Sequence, residues 1–139
     1  MYLVCMMDGE SFWDTEFYVA DTHEYAKGYA ETRCKEYLKG YEIINSEWRG
    51  DTYVCDYINN HEEFLVFQIL ELRGNFSVIR YHGFDGVDFE VLKEFDEEQE
   101  AKTFMKKAFK EESDGCEDCS DENQLAFDNG TEWIGFRIC

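Results

Sequence analysis

Along the chain the spacing of apolar residues switches from two to between three and four, then back again. Near the start, YLVCMM gives way at Asp8-Gly9 to SFWDTEFYVA. An Asp-Gly pair between apolar runs is a strong hairpin signal. The next stretch, DTHEYAKGYAE, opens a run with Tyr25, Ala26, Tyr29, Ala30, Cys34, Tyr37 and Leu38 at helical spacing. That spacing predicts a helix with one buried stripe, and Gly40 is placed to stop it. Three strand-like runs follow: YEIINSEW, DTYVCDYI and EEFLVFQILEL. Because FLVFQIL is apolar on both faces, it predicts a central strand.

The order then recurs. FSVIRYH and VDFEVLKEF flank Asp85-Gly86, and DEEQEAKTFMK opens a second amphipathic run through Ala101, Phe104, Met105, Ala108 and Phe109. QLAF and TEWIGFRI flank Asn129-Gly130. The two helix openings lie 75 residues apart and match at Asp21/Asp96, Ala26/Ala101 and Lys27/Lys102, with Tyr29 facing Phe104. Each begins with Asp and carries Glu24 or Gln99 three residues on, the spacing of a capping box. The expected fold is α+β: two related halves, ββαβββ over residues 1–73 and ββαββ over 74–139, with antiparallel sheets each packed by one helix. The halves are either one compact unit or two small fused subdomains. A period of 75 is too long for a solenoid and suits duplication of a hairpin-helix-strand unit. The chain has no proline, so its turns depend on Gly, Asn and Asp.

Composition narrows the class. At 44% hydrophobic and 17% aromatic residues, the chain carries far more core than an acidic disordered tail. It has no basic n-region leading into a long apolar stretch, and no apolar run near the roughly 18 residues a membrane span needs. A soluble, cytoplasmic protein is expected, with its six cysteines as thiols or ligands rather than disulfides.

Charge changes the picture more. The 32 acids against 13 bases give −19, which argues against direct binding to nucleic acid or to an anionic membrane. The excess sits at the ends: residues 1–25 hold six acids and no Lys or Arg, and residues 111–139 hold nine acids against Arg137 alone. Strand parity places Glu10, Asp14 and Glu16, with Phe12 and Tyr18, opposite Trp13, Phe17 and Val19. In the second half it places Asp88, Glu90 and Glu94 opposite Val87, Phe89 and Val91. Carboxylates two residues apart on a strand lie roughly 6.5–7 Å apart, close to neighbouring phosphates on a nucleic-acid strand. Such rows fit a basic groove, with Phe12 and Tyr18 as apolar anchors.

The segment ESDGCEDCSDEN adds Glu112, Asp114, Glu117, Asp118, Asp121 and Glu122 around a Cys116-x-x-Cys119 pair. Two cysteines are half of a structural zinc site; the remaining ligands would have to come from Cys5, Cys34, Cys55, Cys139, His23, His61 or His82. Acids on every side oppose a redox couple, because they raise a thiol's pKa. The EF-hand spacing is absent. A flexible acidic loop is the leading reading. His61-Glu62-Glu63 lacks a second His four residues on, and no nucleophile elbow or phosphate-cradling glycine pattern is present, so neither an active site nor a cofactor is expected.

In size, charge and aromatic content, though in no motif, the chain resembles small acidic phage proteins that block host defence, the anti-CRISPR and anti-restriction DNA mimics. The resemblance implies a CRISPR effector or nuclease as partner, met in the host bacterial cytoplasm. The carboxylate rows and the 111–122 cluster would be the contact surface. Two alternatives stand beside this inhibitor reading: an immunity protein against one basic toxin, and a zinc- or small-ligand-binding cellular domain. The oligomeric state, a homodimer included, is left open.

Overall fold

The computed structural model describes residues 1–9, 14–83, 87–121 and 124–139. The chain divides into two units, Met1–Glu71 and Leu72–Cys139, with the boundary two residues before the expected one. The turns expected at Asp8-Gly9 and Asp85-Gly86 run into residues outside the described set, as do Glu10, Phe12 and Glu122.

The first unit contains β1 (Tyr2–Asp8), β2 (Thr15–Ala20), α1 (His23–Tyr37), β3 (Glu42–Arg49), β4 (Thr52–Asn59) and β5 (His61–Glu71). They form an antiparallel sheet in the order β2-β1-β5-β4-β3. FLVFQIL lies in β5, the middle strand, as its unbroken apolar run predicts. Val4, Met6, Cys55, Tyr57, Leu65, Phe67 and Ile69 form the sheet side of the core. Ala26, Ala30, Cys34 and Leu38 form the helix side, one residue per turn, and the small side chains of the first three let α1 lie close to the strands. The side chain that caps α1 is Thr22, whose hydroxyl accepts from Tyr25 N at 3.1 Å, one residue later than the Asp21 expected. The helix ends before Gly40, which takes the left-handed conformation at φ 93°.

The second unit contains β6 (Phe76–Gly83), β7 (Asp88–Phe95), α2 (Glu98–Glu112), β8 (Glu117–Asp118), β9 (Leu125–Asp128) and β10 (Trp133–Ile138). Its sheet order, β7-β6-β10-β9-β8, repeats that of the first unit element for element. Both helices are 15 residues long and start 75 residues apart, at His23 and Glu98. α2 begins after Glu97, which makes no side-chain cap bond, so the box expected at Asp96 is not formed. The turn between β9 and β10 is held by Asn129, whose Oδ1 accepts from Thr131 N at 2.9 Å and from Glu132 N at 2.7 Å, with Gly130 at φ 90°.

The segment expected as a flexible acidic loop is tied down instead. Glu117 and Asp118 pair with β9 as an edge strand, the short counterpart of β3. Cys119 N donates to Ala126 O at 2.8 Å and Asp121 N to Gln124 O at 3.0 Å. Ser120 N donates to Asp118 Oδ1 at 2.8 Å. A run this polar offers no alternation to read, because its pairing lies in backbone bonds.

Candidate functional site

The acid face of β2 turns toward α1. Register pairs Met6 with Glu16 and Val4 with Tyr18, so Glu16 and Tyr18 share the helix side with the core residues of β1. Three rungs then join strand and helix. Tyr18 stacks on Tyr29 with centroids 3.9 Å apart and planes 5° from parallel. Arg33 donates to Glu16 through Nε at 3.0 Å and Nη2 at 2.7 Å. The Tyr37 hydroxyl, whose proton goes to Asp8 at 2.8 Å, lies 3.5 Å from Asp14 Oδ2. Two strand residues advance about 6.6 Å and four helix residues about 6 Å, so positions 18, 16 and 14 run in step with 29, 33 and 37. The spacing that resembles a phosphate row is here matched to a helix, and Glu16 is committed to a fork-to-fork bond with Arg33.

The second row is divided for a different reason. Val91 pairs with Ile79 but Lys93 with Val78, so Leu92 is an extra residue in β7. A bulge of this kind reverses parity. Asp88 and Glu90 lie on the side of His82 and Arg80, whereas Glu94 pairs with Ser77 on the other. The expectation that these three carboxylates share a face is therefore corrected. Glu94 accepts from Arg73 N at 2.7 Å and from Ser77 Oγ at 3.1 Å, a bracket on the turn before β6. Burial works against its charge, but the amides of Arg73 and Gly74 and the Ser77 hydroxyl outweigh it, and the pKa falls below the usual carboxylate range. Arg80 gathers Glu90 at 3.5 Å and Glu112 at 3.1 Å.

Of the other expected residues, Asp114, Glu117, Asp118 and Asp121 are exposed. Cys116 packs against the Phe127, Ile134 and Phe136 cluster of the second unit. Among the described residues no three His, Cys, Asp or Glu side chains converge as a metal site. Partial burial and the charges of Glu117, Asp128 and Asp118 push the Cys119 thiol up, which disfavours the thiolate a redox couple needs. Salt screens those carboxylates. Alkylation of Cys119 by iodoacetamide at pH 8 is therefore expected to quicken when NaCl is raised from 0.05 to about 0.5 M, read by mass spectrometry of the labelled peptide. A rate that does not change would place the acids too far away to matter.

The apolar surface that reaches solvent beside the β2–α1 rungs is two tyrosines and a valine. Tyr25 is 58% exposed, Val19 43% and Tyr18 36%. Tyr25 lies 6.5 Å from Tyr18, its ring tilted by 28°. A cleft of about 590 Å³ runs along α1, lined by Thr22, Glu24, Tyr25, Gly28, Tyr29 and Thr32. Asp21, Thr22 and Tyr25 also border a second hollow against Tyr18 and Val19. Hydrogen bonding with Tyr25 holds Tyr18 above its ordinary pKa, and Asp21 adds to it. Burial, then Glu16, does the same for Tyr29. Sequence reasoning places Tyr18 here but assigns Tyr25 and Tyr29 to the buried stripe. Ala26, Ala30, Cys34 and Leu38 already fill one helix face at strict four-residue spacing, which leaves both tyrosines at its margin; that was the available signal.

Tyr37 carries the clearest pH consequence. Burial, then the bond to Asp8, raises its pKa well above the ordinary tyrosine value of 10.0. A raised value means that the neutral hydroxyl's contribution is complete below the unfolded-state pKa and is lost as pH climbs above it. Stability is expected to hold up to about pH 9.5 and to fall beyond it. Tyr37→Phe should flatten that alkaline fall in melts followed by circular dichroism, and an unchanged slope would assign it to other groups.

No helix of the described residues is long and apolar enough to cross a membrane. No protein-family model, curated protein or solved structure matches the chain.

Proposed function

We propose that the chain is an acidic interaction protein that docks on a basic, nucleic-acid-binding surface of a partner protein and occludes it. The observation that carries this reading is the exposed tyrosine surface of the first unit, Tyr18 and Tyr25 with Val19, set among Asp21 and Glu24 in a chain of net charge −19. Aromatic side chains of this kind serve as interface anchors, and surplus charge steers a cationic partner toward them. A partner of the CRISPR-effector or nuclease type fits, in the manner of phage anti-defence inhibitors. The carboxylates act here through their summed field and through single contacts, since neither strand row stands as an unbroken file: Glu16 is bonded to Arg33 and Glu94 is turned to the opposite face.

The test is capture of partners from a bacterial lysate with tagged chain, in low salt and in about 0.5 M salt, where screening shortens to roughly 4 Å. Duplex DNA is added in excess as competitor. Captured proteins should be basic, should release in salt, and should be lost both to the DNA and to an Asp21→Lys/Glu24→Lys variant whose far-UV circular dichroism is unchanged. Capture that resists both DNA and charge reversal would end the proposal.

A further inference from the structure

Resting on the basic partner inferred above, we propose that the cleft along α1 is an arginine-binding groove, in which a guanidinium of the partner lies over Gly28 against the ring of Tyr25 and the carboxylate of Glu24. Gly28 is the telling residue. It sits in the second turn of a 15-residue helix, where glycine is less favourable than alanine. A side chain there would meet nothing within 4 Å, so no packing neighbour requires its absence. Glu24 and Thr32 stand four residues to either side and Tyr25 three, so the missing side chain leaves a floor with walls on one helix face.

The chemistry of those walls selects the cation. Tyr25 offers an exposed ring face, Glu24 a carboxylate, and Thr22 and Thr32 hydroxyl acceptors. A planar guanidinium can stack on the ring and bond the carboxylate with two parallel N–H donors at once; an ammonium has neither a plane to lay on the ring nor a fixed pair of donors to match the two carboxylate oxygens. The basic side chains nearest in sequence are turned to other work: Lys27 lies over Trp48 at 4.7 Å, and Arg33 is held by Glu16. The positive end of the helix dipole opposes a cation beside Thr22 and Glu24, in the first turn, and there the Glu24 carboxylate offsets it; over Gly28, one turn on, the dipole has faded.

Fluorescence anisotropy with two labelled nonapeptides, one built of alternating Gly and Arg and the other of Gly and Lys, tests the groove at low salt. The arginine peptide should bind about fivefold or more tighter than the lysine peptide, the worth of one stacked cation. Gly28→Leu fills the floor while improving helix propensity, so its melting temperature should rise as its preference for arginine disappears. Tyr25→Ala should lose the same preference. Equal binding of both peptides, unmoved by Gly28→Leu, overturns the arginine groove and leaves electrostatic docking standing. No binding of either peptide overturns both. Self-association of the chain that Gly28→Leu abolishes, without arginine preference, overturns the groove in favour of a second copy as its occupant.

Discussion

Gly135→Ala is expected to destabilise the second unit by about 2–3 kcal/mol, although it adds a single methyl group. Gly135 lies in β10, opposite Tyr81 of β6 and Ala126 of β9. A Cβ at this position would stand 2.5 Å from Cε2 and Cζ of Tyr81. Elsewhere a ring could swing aside. Here Tyr81 is fully buried, its hydroxyl donates to the amide oxygen of Gln124, and its ring packs on Phe89 at 5.6 Å and Trp133 at 5.8 Å. The strain has to pass into the sheet. Urea unfolding followed by tryptophan fluorescence would read the loss, with Trp133 next to the clash. The double variant Gly135→Ala/Tyr81→Leu, which removes the ring, should recover part of the loss relative to Tyr81→Leu alone. Additive losses would mean that the ring is not what the methyl meets.

The same glycine shows what a linear pattern conceals. TEWIGFRI reads as a strand, and β10 is one, but nothing in that run announces that the third dimension places a tyrosine ring on Gly135. One matched pair of the repeat, by contrast, has a structural reason: Ala26 and Ala101 are both fully buried where a helix meets its sheet, whereas the matched Asp21 and Asp96 are exposed. A position that tolerates only a small side chain leaves the same letter in both copies. The helices, the hairpin order and the central place of FLVFQIL followed from periodicity together with the Asp-Gly and Asn-Gly turn signals.

The carboxylate rows show where periodicity stops. Parity is a property of uninterrupted strands, and a single inserted residue, Leu92, sends Glu94 to the far face. Parity also assigns a face without saying what covers it. Glu16 and Tyr18 lie on the side expected, opposite Phe17 and Val19, yet that side is the one α1 approaches, and the advance of two strand residues happens to match one helical turn. Which of two faces meets the helix depends on sheet handedness and connection, neither of which is written in alternation. The exposed tyrosines emerge from the same geometry: a helix seated by alanines keeps its larger neighbours at the rim, where Tyr25 becomes available.

Asp8→Ala should cost the first unit about 3 kcal/mol. Asp8 ends β1, is 5% exposed, and accepts from Tyr57 at 2.9 Å through one carboxylate oxygen and from Tyr37 at 2.8 Å through the other. Tyr57 belongs to β4 and Tyr37 to the last turn of α1, so one side chain ties two strands and the helix end. A hydrogen bond to a charged acceptor is worth about 1.5–3 kcal/mol, and truncation leaves a buried tyrosine hydroxyl, 2% exposed at Tyr57, without that acceptor. Asp8→Asn keeps the shape and one carbonyl oxygen, so it should lose less than half as much. The pattern distinguishes a polar keystone from a merely filled space: Tyr37→Phe combined with Asp8→Ala should cost less than the sum of the two single changes, because the second change removes a donor whose acceptor is already gone. Urea denaturation of the four proteins closes the cycle. Strict additivity would mean that the carboxylate and the helix-end tyrosine act independently, and that the last turn of α1 is held by its apolar contacts alone.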